Sequence, residues 1–131
     1  MASIRSEIHV MVTPAVAWDA VKDVGMVHKR LTPGILTDAR LEGDVRTVTF
    51  SSGLVLQEKI VDLNDQQRRF VYTAGGGTAT HHNASLQVFD EGGGNCLIVW
   101  ISDFLPHDAA PGIQKLVDAG SEIMKKTLES S

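Results

Sequence analysis

Between residues 35 and 105 the chain is punctuated at hairpin spacing, and nothing else in it restricts the fold as much. Segments 35–42, 45–51, 54–63, 68–74, 80–89 and 96–105 are rich in alternating apolar and polar residues. They are separated by Gly43-Asp44, Ser51-Ser52-Gly53, Asn64-Asp65, Gly75-Gly76-Gly77 and Gly92-Gly93-Gly94-Asn95. A parallel pair needs a crossover of about a dozen residues or more, so joins this short predict an antiparallel meander. Pro106 ends the last strand, because proline has no N–H to give to a ladder.

The flanks supply one more strand and the helices. Ile4, Ser6, Ile8, Val10 and Val12 alternate with Arg5, Glu7, His9 and Met11, which predicts a half-buried strand. Thr13 then serves as an N-cap and Pro14 as the first helical residue. Trp18, Val21 and Val24 fall on one side of that helix, and Gly25 breaks it. Residues 26–31 read as a second short helix, stopped by Thr32-Pro33-Gly34. At the other end Ile113, Leu116, Val117, Gly120, Ile123, Met124, Thr127 and Leu128 recur at helical spacing, opposite Gln114, Lys115, Asp118, Glu122, Lys125 and Lys126. This predicts one amphipathic helix of about 17–20 residues. Its polar face is mixed in sign, so the apolar stripe is expected to pack on the sheet rather than on a membrane surface. The expected class is α+β: a seven-stranded antiparallel sheet curled around a long C-terminal helix, with two short helices after strand 1.

The length of 131 residues fits a single domain spanning 1–131. At 43% hydrophobic and 21% charged residues it has the composition of a chain that builds a core. A net charge of −4, with scattered lysine and arginine, argues against a nucleic-acid surface. No run approaches the roughly 20 apolar residues of a membrane span. Met1–Glu7 is too polar for a signal peptide. Cys96 is the sole cysteine, so no intrachain disulfide forms, and a reducing, cytoplasmic setting is expected.

Part of the strand register follows from side-chain chemistry. A three-residue turn with Gly53 in the left-handed conformation sets Phe50 against Leu54, Val48 against Leu56 and Arg46 against Glu58. A two-residue loop would instead oppose Arg46 and Lys59, and like charges there repel. The face with Val48, Phe50, Leu54, Leu56 and Ile60 is the apolar one, so Arg46 and Glu58 are expected to point inward. Asp103 marks the outer face of the last strand, leaving Trp100, Ser102 and Phe104 inside. Phe70, Tyr72 and Ala74 are expected inside likewise. Strand 80–89 is ambiguous: one face carries His81, Asn83, Ser85, Gln87 and Phe89, the other Thr80, His82, Ala84, Leu86 and Val88. Periodicity alone buries Leu86 and Val88.

Motifs for other chemistry are absent. His81 and His82 point to opposite faces of a strand and cannot chelate one ion together. There is no HExxH, CxxC or GxSxG, so no metal site and no nucleophile elbow are expected. The glycine triplets lack the lysine and serine or threonine of a phosphate loop. Cys96 has no histidine at a recognisable spacing.

The element order, with Pro14-Ala15-Val16-Ala17-Trp18, Gly43-Asp44-Val45-Arg46, Gly53, Gln57-Glu58-Lys59-Ile60, Asp65, Phe70-Val71-Tyr72, Trp100 and Phe104-Leu105-Pro106, resembles the START-like (SRPBCC, helix-grip) superfamily. Polyketide cyclase/dehydrase and lipid transport proteins look nearest. The stretch His28–Gly34 departs from a tryptophan-histidine-proline-like pattern, so the cavity mouth is expected to differ. The resemblance implies a cavity between sheet and helix that holds a hydrophobic or amphiphilic small molecule, in a carrier or sensor without cofactor, as monomer or homodimer. Its implied wall is Val48, Phe50, Leu56, Tyr72, Trp100, Phe104, Leu116, Gly120 and Met124. Arg46, Glu58 and Ser102 would orient the polar end, and Gly34–Leu36 and Gly75-Gly76-Gly77 would border the mouth. Asn83 and Ser85 match pocket positions of the hormone receptors in the superfamily, which sets them inside, against the periodicity; a bulge in the strand would reconcile the two. The resemblance also admits a cyclase or dehydratase with Glu58, Arg46, Tyr72 and His81 as acid–base candidates. In that role Arg46 is expected to hold the Glu58 pKa down. A third reading is an interaction protein with a collapsed cavity.

Overall fold

In the computed structural model, residues 2–75 and 79–130 are described. Strand β1 is Ser3–Val10. Helix α1, Pro14–Lys22, starts where the Thr13 side chain accepts a hydrogen bond from the Val16 N–H at 3.3 Å. A single 3-10 turn, Val24–Met26, leads to the short helix α2, Val27–Arg30. Six strands follow: β2 Leu36–Glu42, β3 Val45–Phe50, β4 Val55–Asn64, β5 Arg69–Gly75, β6 His81–Gly92 and β7 Asn95–Leu105. After another 3-10 turn, helix α3 runs from Ala110 to Ser130. All strand pairs are antiparallel, and the sheet order is β1-β7-β6-β5-β4-β3-β2.

The expected turn between β3 and β4 is present. Gly53 has φ +91°, and the register pairs Arg46 with Glu58 and Val48 with Leu56. Phe50 closes the hairpin by donating its N–H to the Leu54 carbonyl at 2.8 Å. On α3 the buried stripe is Ile113, Val117, Gly120, Met124 and Leu128, with Leu116 half-buried beside it. At Gly120 an added Cβ would lie 2.9 Å from the Trp100 ring, so only glycine lets the helix come this close to β7 without a shift.

The core is made where sheet and helices meet. Ile8, Val10, Trp18, Val21, Leu31, Val48, Phe70, Leu86, Ile98 and Met124 belong to its main cluster. Trp18 also donates its indole N–H to Asp65 in the β4–β5 turn at 2.8 Å, which ties α1 to that end of the sheet.

Candidate functional site

A chamber of about 80 Å³ lies between the sheet and α3. Of the expected wall, Arg46, Val48, Phe50, Leu56, Glu58, Tyr72, Trp100, Ser102, Leu116, Gly120 and Met124 line it. Phe70, Leu86, Ile113 and Val117 complete the apolar lining, with Val27, Leu31, Ile35 and Leu36 from the α2–β2 side. An outer vestibule of about 290 Å³ shares Phe50, Leu56, Ala74, His82, Ile113 and Leu116 with the chamber. Ile35 and Leu36, expected at the mouth, line the chamber and not the vestibule, and Gly75 lies in a groove lined by Val45, Val55, Gln57 and Lys59. Gly76 and Gly77 lie outside the described residues.

The inner end is built around one ion pair. Arg46 is 4% exposed and Glu58 8%. The Arg46 Nε donates to Glu58 Oε1 at 2.7 Å, and Nη2 lies 2.7 Å from the same oxygen. Nη1 donates to the Val24 carbonyl at 3.0 Å. The guanidinium also sits 5.2 Å from the Phe70 ring centroid and 5.3 Å from that of Tyr72. Every nitrogen of Arg46 thus has work within the protein, joining sheet to the turn before α2. Burial pushes the Glu58 carboxyl up by more than Arg46 pulls it down, which reverses the expected direction. The Tyr72 phenol is pushed up as well, first by burial and then by the Glu58 charge. It therefore stays protonated near neutrality.

Among the described residues, two buried polar atoms of the wall have no hydrogen-bond partner: Trp100 Nε1 and His82 Nε2. The Trp100 indole is close enough to Tyr72 to oppose its pKa shift, yet its N–H makes no hydrogen bond of ordinary geometry. The His82 ring packs edge-on against Phe104 with centroids 6.0 Å apart. Burial pushes its pKa down, and the neighbouring His81 adds to this.

Strand β6 corrects three expectations. Ala84, Leu86 and Val88 are buried, with His82 beside them, so this is the inner face. Asn83 and Ser85 take the other face and do not line the chamber. The reason is register: Tyr72 and Ser102 both face inward and both pair with Ala84. Opposed residues on neighbouring strands share a face. No bulge rescues the alternative, because the β6–β7 pairing runs unshifted from His81 to Asp90. His81 is exposed and hydrogen-bonded to Asn83 at 2.7 Å, which removes it from the acid–base candidates. Phe104 is buried, but it packs in a separate cluster with Ala2, Ile4, Ile113 and Val117. Among the wall residues outside the expected set, which include Val27, Leu31, Leu86, Ile113 and Val117, His82 is the titratable one. Its signal was the alternation that also carries Ala84, Leu86 and Val88.

Among the described residues no group of three or more His, Cys, Asp or Glu is placed to hold a metal ion. No helix among them is long and apolar enough to cross a membrane.

No curated protein matches the sequence. Solved structures do match in fold. XoxI from Bacillus cereus superposes with a TM-score of 0.88 at 17% identity, covering 98% of this chain and 96% of that one. A Thermobifida fusca protein gives 0.80 at 24% identity, covering 98% and 91%. Norcoclaurine synthase from Thalictrum flavum, solved with dopamine and hydroxybenzaldehyde, gives 0.75 at 16% identity, covering 98% and 84%. Identities this low establish a common helix-grip architecture and nothing about ligands. The sequence itself goes further: residues 1–129 match the profile described as polyketide cyclase / dehydrase and lipid transport, and the chain belongs to that family.

Proposed function

We propose that this protein binds a small hydrophobic or amphiphilic molecule between the sheet and α3, as a carrier or sensor. One observation carries the reading: a mostly apolar chamber has the buried Arg46–Glu58 pair in its lining and shares six wall residues with a second, larger space. Pockets for drug-sized ligands run to about 300–1,000 Å³. The chamber of about 80 Å³ suits one functional group or ring, and the bulk of a ligand would occupy the vestibule of about 290 Å³. Family membership and the ligand-holding norcoclaurine synthase of the same fold support this reading.

A cyclase or dehydratase would use the same space, but no contact favours it. Its candidate base, Glu58, is engaged by Arg46, and its candidate acid, Tyr72, holds its proton tightly.

Native mass spectrometry of freshly purified protein, with organic extraction, tests the proposal. A reproducible co-purifying amphiphile, or saturable binding of aromatic and acyl probes, is expected. Protein that is empty and also binds no member of such a probe set would overturn it.

A further inference from the structure

We propose that the chamber selects ligands bearing a neutral hydrogen-bond acceptor, such as a ketone or ester carbonyl, and disfavours carboxylates; this rests on the ligand-binding reading above. The polar groups of the wall divide into two sets. Arg46 and Glu58 are committed to each other at 2.7 Å, and Arg46 also to Val24. The positive charge is already matched, and the carboxylate beside it repels a second anion. The guanidinium is itself covered by the Phe70 and Tyr72 rings, 5.2 and 5.3 Å from their centroids.

The second set is uncommitted. The Trp100 indole N–H can only donate, and it is buried in the wall without a partner. A buried donor without an acceptor is costly, and a ligand oxygen there relieves the cost. The protonated Tyr72 hydroxyl lies beside it and can donate to the same oxygen. His82 lines both chamber and vestibule, and its buried Nε2, equally without a partner, can donate or accept according to tautomer. Around these atoms the lining is apolar. The chemistry that fits is an uncharged acceptor on a hydrophobic body.

The test uses three probes of one shape: acetophenone, benzoate and isopropylbenzene. Each is titrated into ¹⁵N-labelled protein. The chain has two tryptophans, so two indole signals report separately. Acetophenone should move the Trp100 indole proton downfield and leave that of Trp18, held by Asp65, in place. Benzoate should bind at least about tenfold more weakly than acetophenone. Trp100→Phe should weaken acetophenone about tenfold and leave isopropylbenzene within about twofold. Comparing each probe with itself cancels its own hydration. Benzoate binding as tightly as acetophenone, or acetophenone binding with an unmoved Trp100 indole, overturns the selectivity while the ligand-binding reading survives. Failure of all three probes to bind overturns both. The wild-type titration decides the matter by itself if Trp100→Phe does not fold.

Discussion

The two ends of the chamber are held together by different forces. At the inner end, Arg46 donates to Glu58 Oε1 and to the Val24 carbonyl at 2.7–3.0 Å, under the rings of Phe70 and Tyr72. At the outer end, Phe50, Ile113, Leu116 and His82 line both chamber and vestibule, and His82 Nε2 has no partner among the described residues. Hydrogen-bonded charges in a low-dielectric site have steep, directional energies, whereas apolar contacts tolerate sliding. The inner end is therefore a fixed floor, and the outer end is the place where a ligand can be admitted.

The largest effect should come from breaking the floor. Glu58→Ala leaves Arg46 buried and uncompensated, and a loss of about 3–5 kcal/mol in urea unfolding is expected. Replacing both partners, as Arg46→Met with Glu58→Leu, should restore most of it. A cost below about 1 kcal/mol for Glu58→Ala would mean that water shares the pair, and the contrast between the ends would dissolve.

Gly120→Ala probes the middle of the chamber and should cost less. Its Cβ would stand 2.9 Å from Trp100, so the ring or α3 must shift. Overpacking costs about 1–3 kcal/mol, and alanine returns about 1 kcal/mol of helix propensity. A net loss of up to about 2 kcal/mol is expected, with a changed Trp100 indole signal. A stabilised variant would show that the Trp100 side of the chamber yields as freely as the mouth.

His82 should give the smallest effect, visible as a pH dependence. Burial puts its folded pKa below 6.5, so the unfolded chain takes up protons more readily. Its contribution is present above 6.5 and is lost as pH falls through the lower folded value. Between about pH 7.5 and 5.5, wild type should lose more stability than His82→Gln. Equal losses would place the His82 ring in water and sharpen the mouth as an open site.

Legibility in the sequence followed a similar division. The β3–β4 register was readable because two apolar pairs and one ion pair all agree on it. Strand β6 was not, since each of its faces mixes polar and apolar residues. Its inner face was settled from outside, by Tyr72 and Ser102 converging on Ala84. The stripe on α3 was visible as periodicity, but the clearance that Gly120 gives Trp100 depends on two elements far apart in the chain.

The sequence by itself determined the strands, their turns, the amphipathic helix and the inward pair Arg46–Glu58. Hydrophobic period and turn chemistry are local, and they act before any long-range contact exists. Only the tertiary structure decided that Arg46 reaches Val24, that His82 rather than His81 faces the cavity, and that Trp100 is left with an unanswered donor. Those outcomes depend on which neighbours share a face once the sheet has closed over α3. No single strand carries that information.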